Sequence, residues 1–307
     1  MNIKSFITTL CGKLKYNCTV EWYNFWYLIL DKKQKNVPKV ALIDETIRKI
    51  VTEHCSISRF GDGEILLTDN KAIGFQKENV ELSKRLSQIL QSQEEGHLVC
   101  IPDTFSNLNR YNRKARRFWR THFFLFMNLW DKYLVPGQLY YNSFITRPYM
   151  DFASKESSKV WFQNIKQIWD NRDIVFIEGE MSRLGVGNDL FENARSVRRV
   201  ICPPQNAFAK YDDIVTESCK LDKNILFLIA LGPTATVLAY DLFKKGYQAV
   251  DIGHIDIEYG WWKIGARRKV KLPQKYINEV SGGDDVPLDA GEEYQKQIIS
   301  RILPDIK

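Results

Sequence analysis

From Asp173 onward the chain repeats one unit: an apolar run of strand length, a turn, an amphipathic stretch, then another apolar run. The strands are DIVFI (173–177), VRRVICPP (197–204), NILFLIAL (224–231) and QAVDIG (248–253). They are apolar at consecutive positions, as strands covered on both faces must be. Helices are expected after EGEMSRLGVGND, through about Ser196, and over 236–245, the second closed by Gly246. This order predicts an α/β fold, Rossmann-like, with a mainly parallel sheet and helices on both faces. Right-handed crossovers then bring the loops after the strands to one edge, where ligands bind in such sheets.

Upstream, a helical pattern covers 41–53, and SRFGDGEILL (58–67) follows as an apolar strand leading into a helix. A longer amphipathic helix is expected over 78–93, with Val80, Leu82, Leu86, Ile89 and Leu90 as its apolar set. HLVCIPD then reads as a strand over 98–101 stopped by Pro102. The stretch 104–170 reads as helices heavy in Trp, Phe and Tyr, interrupted by the Pro136-Gly137 turn. DKKQKNVP (31–38) reads as a linker. It divides the chain into an N-terminal helical appendage with its linker (1–38), a main domain (39–272) and a polar, peripheral C-terminal tail (273–307).

Charge narrows the partners. The excess of 44 Lys and Arg over 37 Asp and Glu gives a net +7, which suits nucleic acid, an anionic membrane or anionic substrates. The densest basic stretch, RYNRKARRFWR (110–120), has Tyr111, Phe118 and Trp119 between its arginines. Base stacking would need those rings exposed, and nothing else in the chain motivates nucleic acid. The six cysteines show no CxxC spacing, which argues against zinc and fits a reducing, cytoplasmic setting. FWYLIL (25–30) is far short of the ~20 residues that span a bilayer. The aromatics and scattered lysines of residues 1–30 instead fit peripheral contact with the inner membrane face.

Three loops at predicted strand ends carry unusual residues. LGPTAT (231–236) sets Gly232 and Pro233 before a helix; with Thr234, Ala235 and Thr236 it is either a tight turn or an anion site made from helix amides and hydroxyls. In SRLGVGNDLF (182–191), Gly185, Gly187, Asn188 and Asp189 form either a bare turn with a helix cap or a backbone-lined pocket that Arg183 could serve as a phosphate ligand. The spacing is not GxGxxG, which argues against a nicotinamide enzyme. DIGHIDIEYGWW (251–262) places His254, Asp256 and Glu258 at even parity, hence on one face if the segment is a strand. Neighbouring carboxylates raise one another's pKa and can supply a general base. In SRFGDGE, Asp62 and Glu64 flank Gly63 after Arg59, Phe60 and Gly61, in either an acidic turn or a cation site.

SRFGDGE, RPYMD (147–151), EGEMSRLGVGNDLF and LGPTATVLAYDLFKKGYQAVDIGHIDIEY, in that order, resemble the bacterial glycosyltransferases of the GT-D fold over residues 40–265. That resemblance implies a Rossmann-like core in which Asp62 and Glu64 form a D-x-E pair holding Mn²⁺ or Mg²⁺ on the diphosphate of a UDP-sugar, with UDP-glucose or UDP-galactose as donors. Hard oxygen ligands shared with substrate phosphates suit such ions. The GPTA turn and RLGVGND loop would bind the diphosphate and nucleoside, with Arg59, Arg183 and His254 nearby. Arg147 and Tyr149 would face a glycan acceptor on lipid or protein. By analogy with inverting glycosidases, Glu258, or else Asp256, would take the acceptor proton. Family members often read EYEW where this chain has EYGW, so Gly260 raises an alternative: a nucleotide-sugar-binding or assembly partner without catalysis.

Overall fold

The computed structural model describes residues 17–30, 37–287 and 290–304. The first sixteen residues, and with them Cys11, lie outside this set, as does most of the expected linker. Among the described residues, nine strands form one sheet in which every pairing is parallel. In chain order they are β1 (Lys39–Val40), β2 (Ser56–Arg59), β3 (His97–Ile101), β4 (Leu139–Asn142), β5 (Asp173–Gly179), β6 (Ser196–Cys202), β7 (Leu226–Ala230), β8 (Gln248–Asp251) and β9 (Ile298–Arg301). Their order across the sheet is β1-β4-β3-β2-β8-β7-β5-β6-β9. Helices surround it: α1 (17–29), α2 (Ile43–Glu53), α3 (Asp62–Thr68), α4 (Val80–Leu90), α5 (Arg113–Tyr133), α6 (Ser158–Lys166), α7 (Tyr211–Ser218), α8 (Pro233–Lys244), α9 (Ile255–Lys263) and α10 (Glu292–Gln297).

The α/β expectation holds, and the continuous apolar runs explain why. Ile174, Val175, Phe176 and Ile177 of β5 pair in register with Leu226, Phe227, Leu228 and Ile229 of β7, and none of the eight is exposed to solvent. At roughly 1.5–3 kcal/mol for each buried side chain, this central pair alone is a large part of the driving force. α8 packs across β2 and β8, starting at Pro233 directly after β7.

Four expectations are corrected. No helix forms between Asp189 and Ser196: after Gly185 and Gly187, both with φ near +76°, the chain stays in successive turns until β6 begins at Ser196. The segment after β8 is helix α9, not a strand, so the shared-parity reading of His254, Asp256 and Glu258 fails: residues two apart on a helix point about 200° apart. Val80 opens α4 but is exposed, leaving Leu82, Leu86, Ile89 and Leu90 as the packing face. The residues after 273 are not peripheral, since β9 extends the sheet beside β6. Arg199 of β6 secures that edge: its guanidinium pairs with Glu178 (2.6 Å), donates to Gln297, and lies between the rings of Phe176 and Tyr294.

Candidate active site at the C-terminal edge of the sheet

A cavity of about 640 Å³ opens where the strands end. Its wall takes Arg59–Glu64 after β2, Pro102 after β3, Ser143 and Arg147 after β4, Gly179 and Ser182 at β5, Pro204–Ala207 after β6, Leu231–Pro233 after β7, and Gly253 with His254 after β8. Seven parallel strands thus deliver their following loops to one concavity, as the fold predicts. The volume suits a small-molecule ligand.

Arg59 and Asp251 join neighbouring strands β2 and β8 at the floor. The Arg59 guanidinium donates to Asp251 Oδ1 through Nη2 (2.7 Å) and Nε (3.2 Å), and Nε also reaches the Asp251 carbonyl (2.9 Å). Gly253 makes room for it. A Cβ there would sit 1.8 Å from Arg59 Nη2, and the backbone φ is +41°. Arg59 therefore lines the cavity already neutralised by Asp251, a partner that the sequence reading placed in the neighbouring loop.

Asp62 and Glu64 occupy the first turn of α3, not an extended turn, with Gly61 as N-cap. The Gly61 amide donates to Glu64 Oε2 (2.8 Å), so part of the acidic pair's function is capping. Both line the cavity, and neither is ion-paired among the described residues. Desolvation by the cavity walls raises the Asp62 carboxyl against the opposing charge of Arg147. Glu64 is pushed up to about 7 by burial, opposed by Arg59 and assisted by the adjacent Asp62. Two desolvated carboxylates with raised pKa values and no cationic partner fit a divalent cation. Among the described residues no group of three or more His, Cys, Asp and Glu gathers around a metal position, so substrate oxygens and water would complete the shell.

At the GPTA turn, Gly232 and Pro233 line the cavity while Thr234 and Ala235 are buried behind them. Gly232 has φ +55°, and a Cβ would meet the Phe75 ring at 2.9 Å. Phe75, whose carbonyl accepts from the Asn206 amide, is a cavity aromatic that the sequence reading missed; it sits in a short polar turn with no periodic signal. Thr236 Oγ1 donates to the Arg59 carbonyl (2.9 Å), tying α8 to the Arg59 loop.

The RLGVGND loop serves differently from expectation. Arg183 is buried and donates to the Pro287 carbonyl (2.5 Å), while Arg183, Gly185, Gly187, Asn188 and Asp189 are not among the described cavity-lining residues. Asp256 Oδ1 accepts from the Gly185 amide (3.1 Å) and Asn188 Nδ2 (2.7 Å), and the Lys275 amine pairs with its other oxygen. Asp189 binds Tyr259 and Lys263. The loop is a clasp on α9; only Ser182, Leu184 and Met181 from its start reach the cavity.

Glu258 points elsewhere. It has no exposed surface, and its Oε2 accepts the amides of Tyr149 (3.0 Å) and Met150 (2.7 Å). Burial pushes its carboxyl up to about 7, with Asp151 adding to the rise and Arg147 opposing it. Neither proposed base presents a free carboxylate to the cavity: Asp256 is saturated by the clasp, and Glu258, whose Oε1 is buried without a hydrogen-bond partner among the described residues, lies behind the 147–151 segment it holds and is not among the described cavity-lining residues. That segment brings Arg147 and Asp151 to the wall, whereas Tyr149 turns away and donates to the Ala266 carbonyl (2.9 Å). Arg147 pairs with Glu279 (2.7 Å), which also takes Lys269 (2.5 Å). Burial pushes Glu279 up but the cationic Arg147 and Lys269 outweigh it, holding the carboxyl well below its ordinary value. His254, held down to about 3 by burial and the Arg147 charge, is a neutral imidazole at the wall. Gly260 packs under Leu272, whose Cδ1 lies 2.6 Å from where a Cβ would be, and position 260 is not among the described cavity-lining residues.

Comparison with known proteins places this architecture. The family model described as "Glycosyltransferase GT-D fold" matches residues 57–280. "Glycosyltransferase GlyD" of Streptococcus pneumoniae serotype 4 is 40% identical over 273 residues, which are 89% of this chain but 33% of that protein's length. A solved structure described as the domain of unknown function 1792 with "a distinct glycosyltransferase fold" has a TM-score of 0.83 at 45% identity, over 87% of this chain and 96% of that one. A "New Glycosyltransferase (DUF1792)" from Streptococcus sanguinis has a TM-score of 0.82 at 39% identity, over 86% of this chain and 99% of that one.

Proposed function

The chain belongs to the family of glycosyltransferases with the GT-D fold, and from that membership we propose that it is a metal-dependent hexosyltransferase. It takes a UDP-sugar, UDP-glucose or UDP-galactose, and transfers the hexose with inversion to a hydroxyl of a growing glycan on lipid or protein, in the cytoplasm. The observation that carries this reading is the pair of unpaired carboxylates, Asp62 and Glu64, on the wall of a cavity at the strand C-termini.

Asp62 and Glu64 would hold Mn²⁺ or Mg²⁺, which neutralises charge on the departing diphosphate. The turn at Gly232-Pro233 lies beside the same wall, with Phe75 offering a ring face for the nucleobase. Arg147, neutral His254 and the α5 residues Lys114 and Phe118 line the side open to an acceptor. Among the described cavity carboxylates, Asp62 and Glu64 go to the cation, Asp256 to the clasp and Glu279 to Arg147 and Lys269. Asp151 remains: it lines the cavity and its side chain makes no hydrogen bond or ion pair among the described residues. We assign it the base in place of Glu258 and Asp256. The acceptor oxygen bonds to the anomeric carbon, the bond to UDP breaks, and the hydroxyl proton passes to Asp151. Glu258 acts through Asp151, by fixing the 147–151 backbone.

The test of the reading is UDP release from UDP-glucose and UDP-galactose, with and without Mn²⁺. Metal-dependent release is expected; its absence across both donors and their acceptors counts against the enzyme. Asp151→Asn should lower kcat about 10²-fold while donor affinity stays unchanged. An unaltered kcat would return the base to another group. The alternative of a non-catalytic partner with a base vacated at Gly260 gains nothing from the geometry, since position 260 faces Leu272.

A further inference from the structure

Helix α1 precedes the region matched by the family model and is apolar on opposite faces. Its inner face meets α5: Asn24 Nδ2 donates to the Arg117 carbonyl (3.1 Å) and Thr121 Oγ1 (2.9 Å), and Tyr23 stacks on Phe124 at 5.2 Å. The opposite face carries Cys18, Trp22, Phe25 and Ile29, spaced four, three and four residues apart and all exposed, Trp22 by 58% and Phe25 by 53%. The one charge within 17–30, Glu21, is paired to Arg117 (2.9 Å). An exposed apolar stripe on a helix is stable when something covers it, and among the described residues nothing covers this one.

We propose that the outer face of α1 lies in the interfacial layer of an anionic lipid bilayer. Trp and Phe at helical spacing are the side chains that favour that layer, and among the described residues no helix is long and apolar enough to cross it. The charges match an anionic surface. Arg113, Lys114, Arg116 and Arg120 of α5, the helix on which α1 packs, all reach solvent. The placement has a consequence for the site. α5, which meets α1 at Arg117 and Thr121, also sends Lys114 and Phe118 to the cavity wall, so one helix joins α1 to the cavity. The lipid surface is inferred from α1 and α5 alone and stands whether or not the transfer reaction is as proposed.

Co-sedimentation of the full chain with vesicles decides it. Phosphatidylglycerol-containing vesicles should take up the protein at least about tenfold better than pure phosphatidylcholine, and high salt should abolish the difference. The double variant Trp22→Glu, Phe25→Glu should lose about tenfold in partition while its melting temperature and its vesicle-free UDP release stay unchanged; Trp22→Phe should keep binding. No uptake by phosphatidylglycerol vesicles at low salt overturns the proposal. So does a wild-type dimer that the double variant converts to monomer with no vesicle uptake by either, which gives the face to a second copy. Trp emission that does not shift toward the blue with vesicles also overturns it.

Discussion

Asp62→Asn is expected to lower metal-dependent UDP release about 10³-fold or more while leaving the fold intact. The magnitude follows from charge stabilisation of several kcal/mol on the leaving diphosphate, with each 1.36 kcal/mol worth tenfold. The fold should tolerate the change because Asp62 forms no salt bridge among the described residues and sits at the first position of α3, after the Gly61 cap, where loss of its charge forgoes only about 0.3–1 kcal/mol of interaction with the helix dipole. Its sign on stability is also fixed. A carboxyl raised by desolvation is less favourable when ionised in the folded chain than in the unfolded one, so an amide of the same shape removes a cost at neutral pH. The melting temperature should therefore hold or rise. Glu64→Gln should abolish release too, and because its amide oxygen can still accept the Gly61 amide while a carboxyl raised by burial is removed, its melting temperature should likewise hold or rise. Mn²⁺ should raise the melting temperature of the wild type and leave both variants unmoved. Retained activity in Asp62→Asn, or equal stabilisation of variant and wild type by Mn²⁺, would remove the cation from this turn.

Most of the sheet was legible because β3, β5, β7, β8 and the Val200–Cys202 end of β6 carry runs of buried apolar residues, the pattern of a doubly covered strand, which Ser56, Ser58 and Arg59 of β2 and Arg198 and Arg199 of β6 interrupt. β4 and β9 were not. LYYN lies in a stretch rich in aromatics where helix and strand patterns overlap, and IISR is four residues inside a polar tail. What locks β9 in place is the contact of Arg199 with Glu178, Gln297 and Tyr294, which no local pattern displays.

The site residues divided along the same line. Glycine-bearing loops at strand ends located the cavity, because backbone chemistry is local; the partner of each charge is not. HIDIEY alternates polar and apolar residues and so imitates a strand. In the structure Ile255, Asp256, Ile257, Glu258 and Tyr259 are all buried in one helix, and two distant loops supply the partners of Asp256 and of Glu258 Oε2. A helix buried on every side has no amphipathic period to read. Asp151 and Glu279 escaped notice for the converse reason: each stands in an irregular segment, and only the return of residues 269–279 over the cavity gives Arg147, and hence its neighbours, their charge environment.

Lys275→Met should be the most destabilising single change in that returning segment, by about 3–5 kcal/mol. Lys275 is 3% exposed; its amine pairs with Asp256 and donates to the Arg183 carbonyl (3.1 Å). Without it, Asp256, itself 1% exposed, keeps the Gly185 amide and Asn188 but loses its cation, and a buried carboxylate left unpaired carries most of the penalty. Replacing both members should recover much of the loss, so Lys275→Met with Asp256→Asn is expected to be more stable than Lys275→Met alone. Urea unfolding curves of the three chains measure the difference. The effect should reach the donor as well, because the clasp holds the loop whose Ser182 and Leu184 line the cavity; KM for the UDP-sugar should rise more than kcat falls. A cost below about 1 kcal/mol would place Lys275 in a solvated tail, the reading its polar surroundings in the sequence invite.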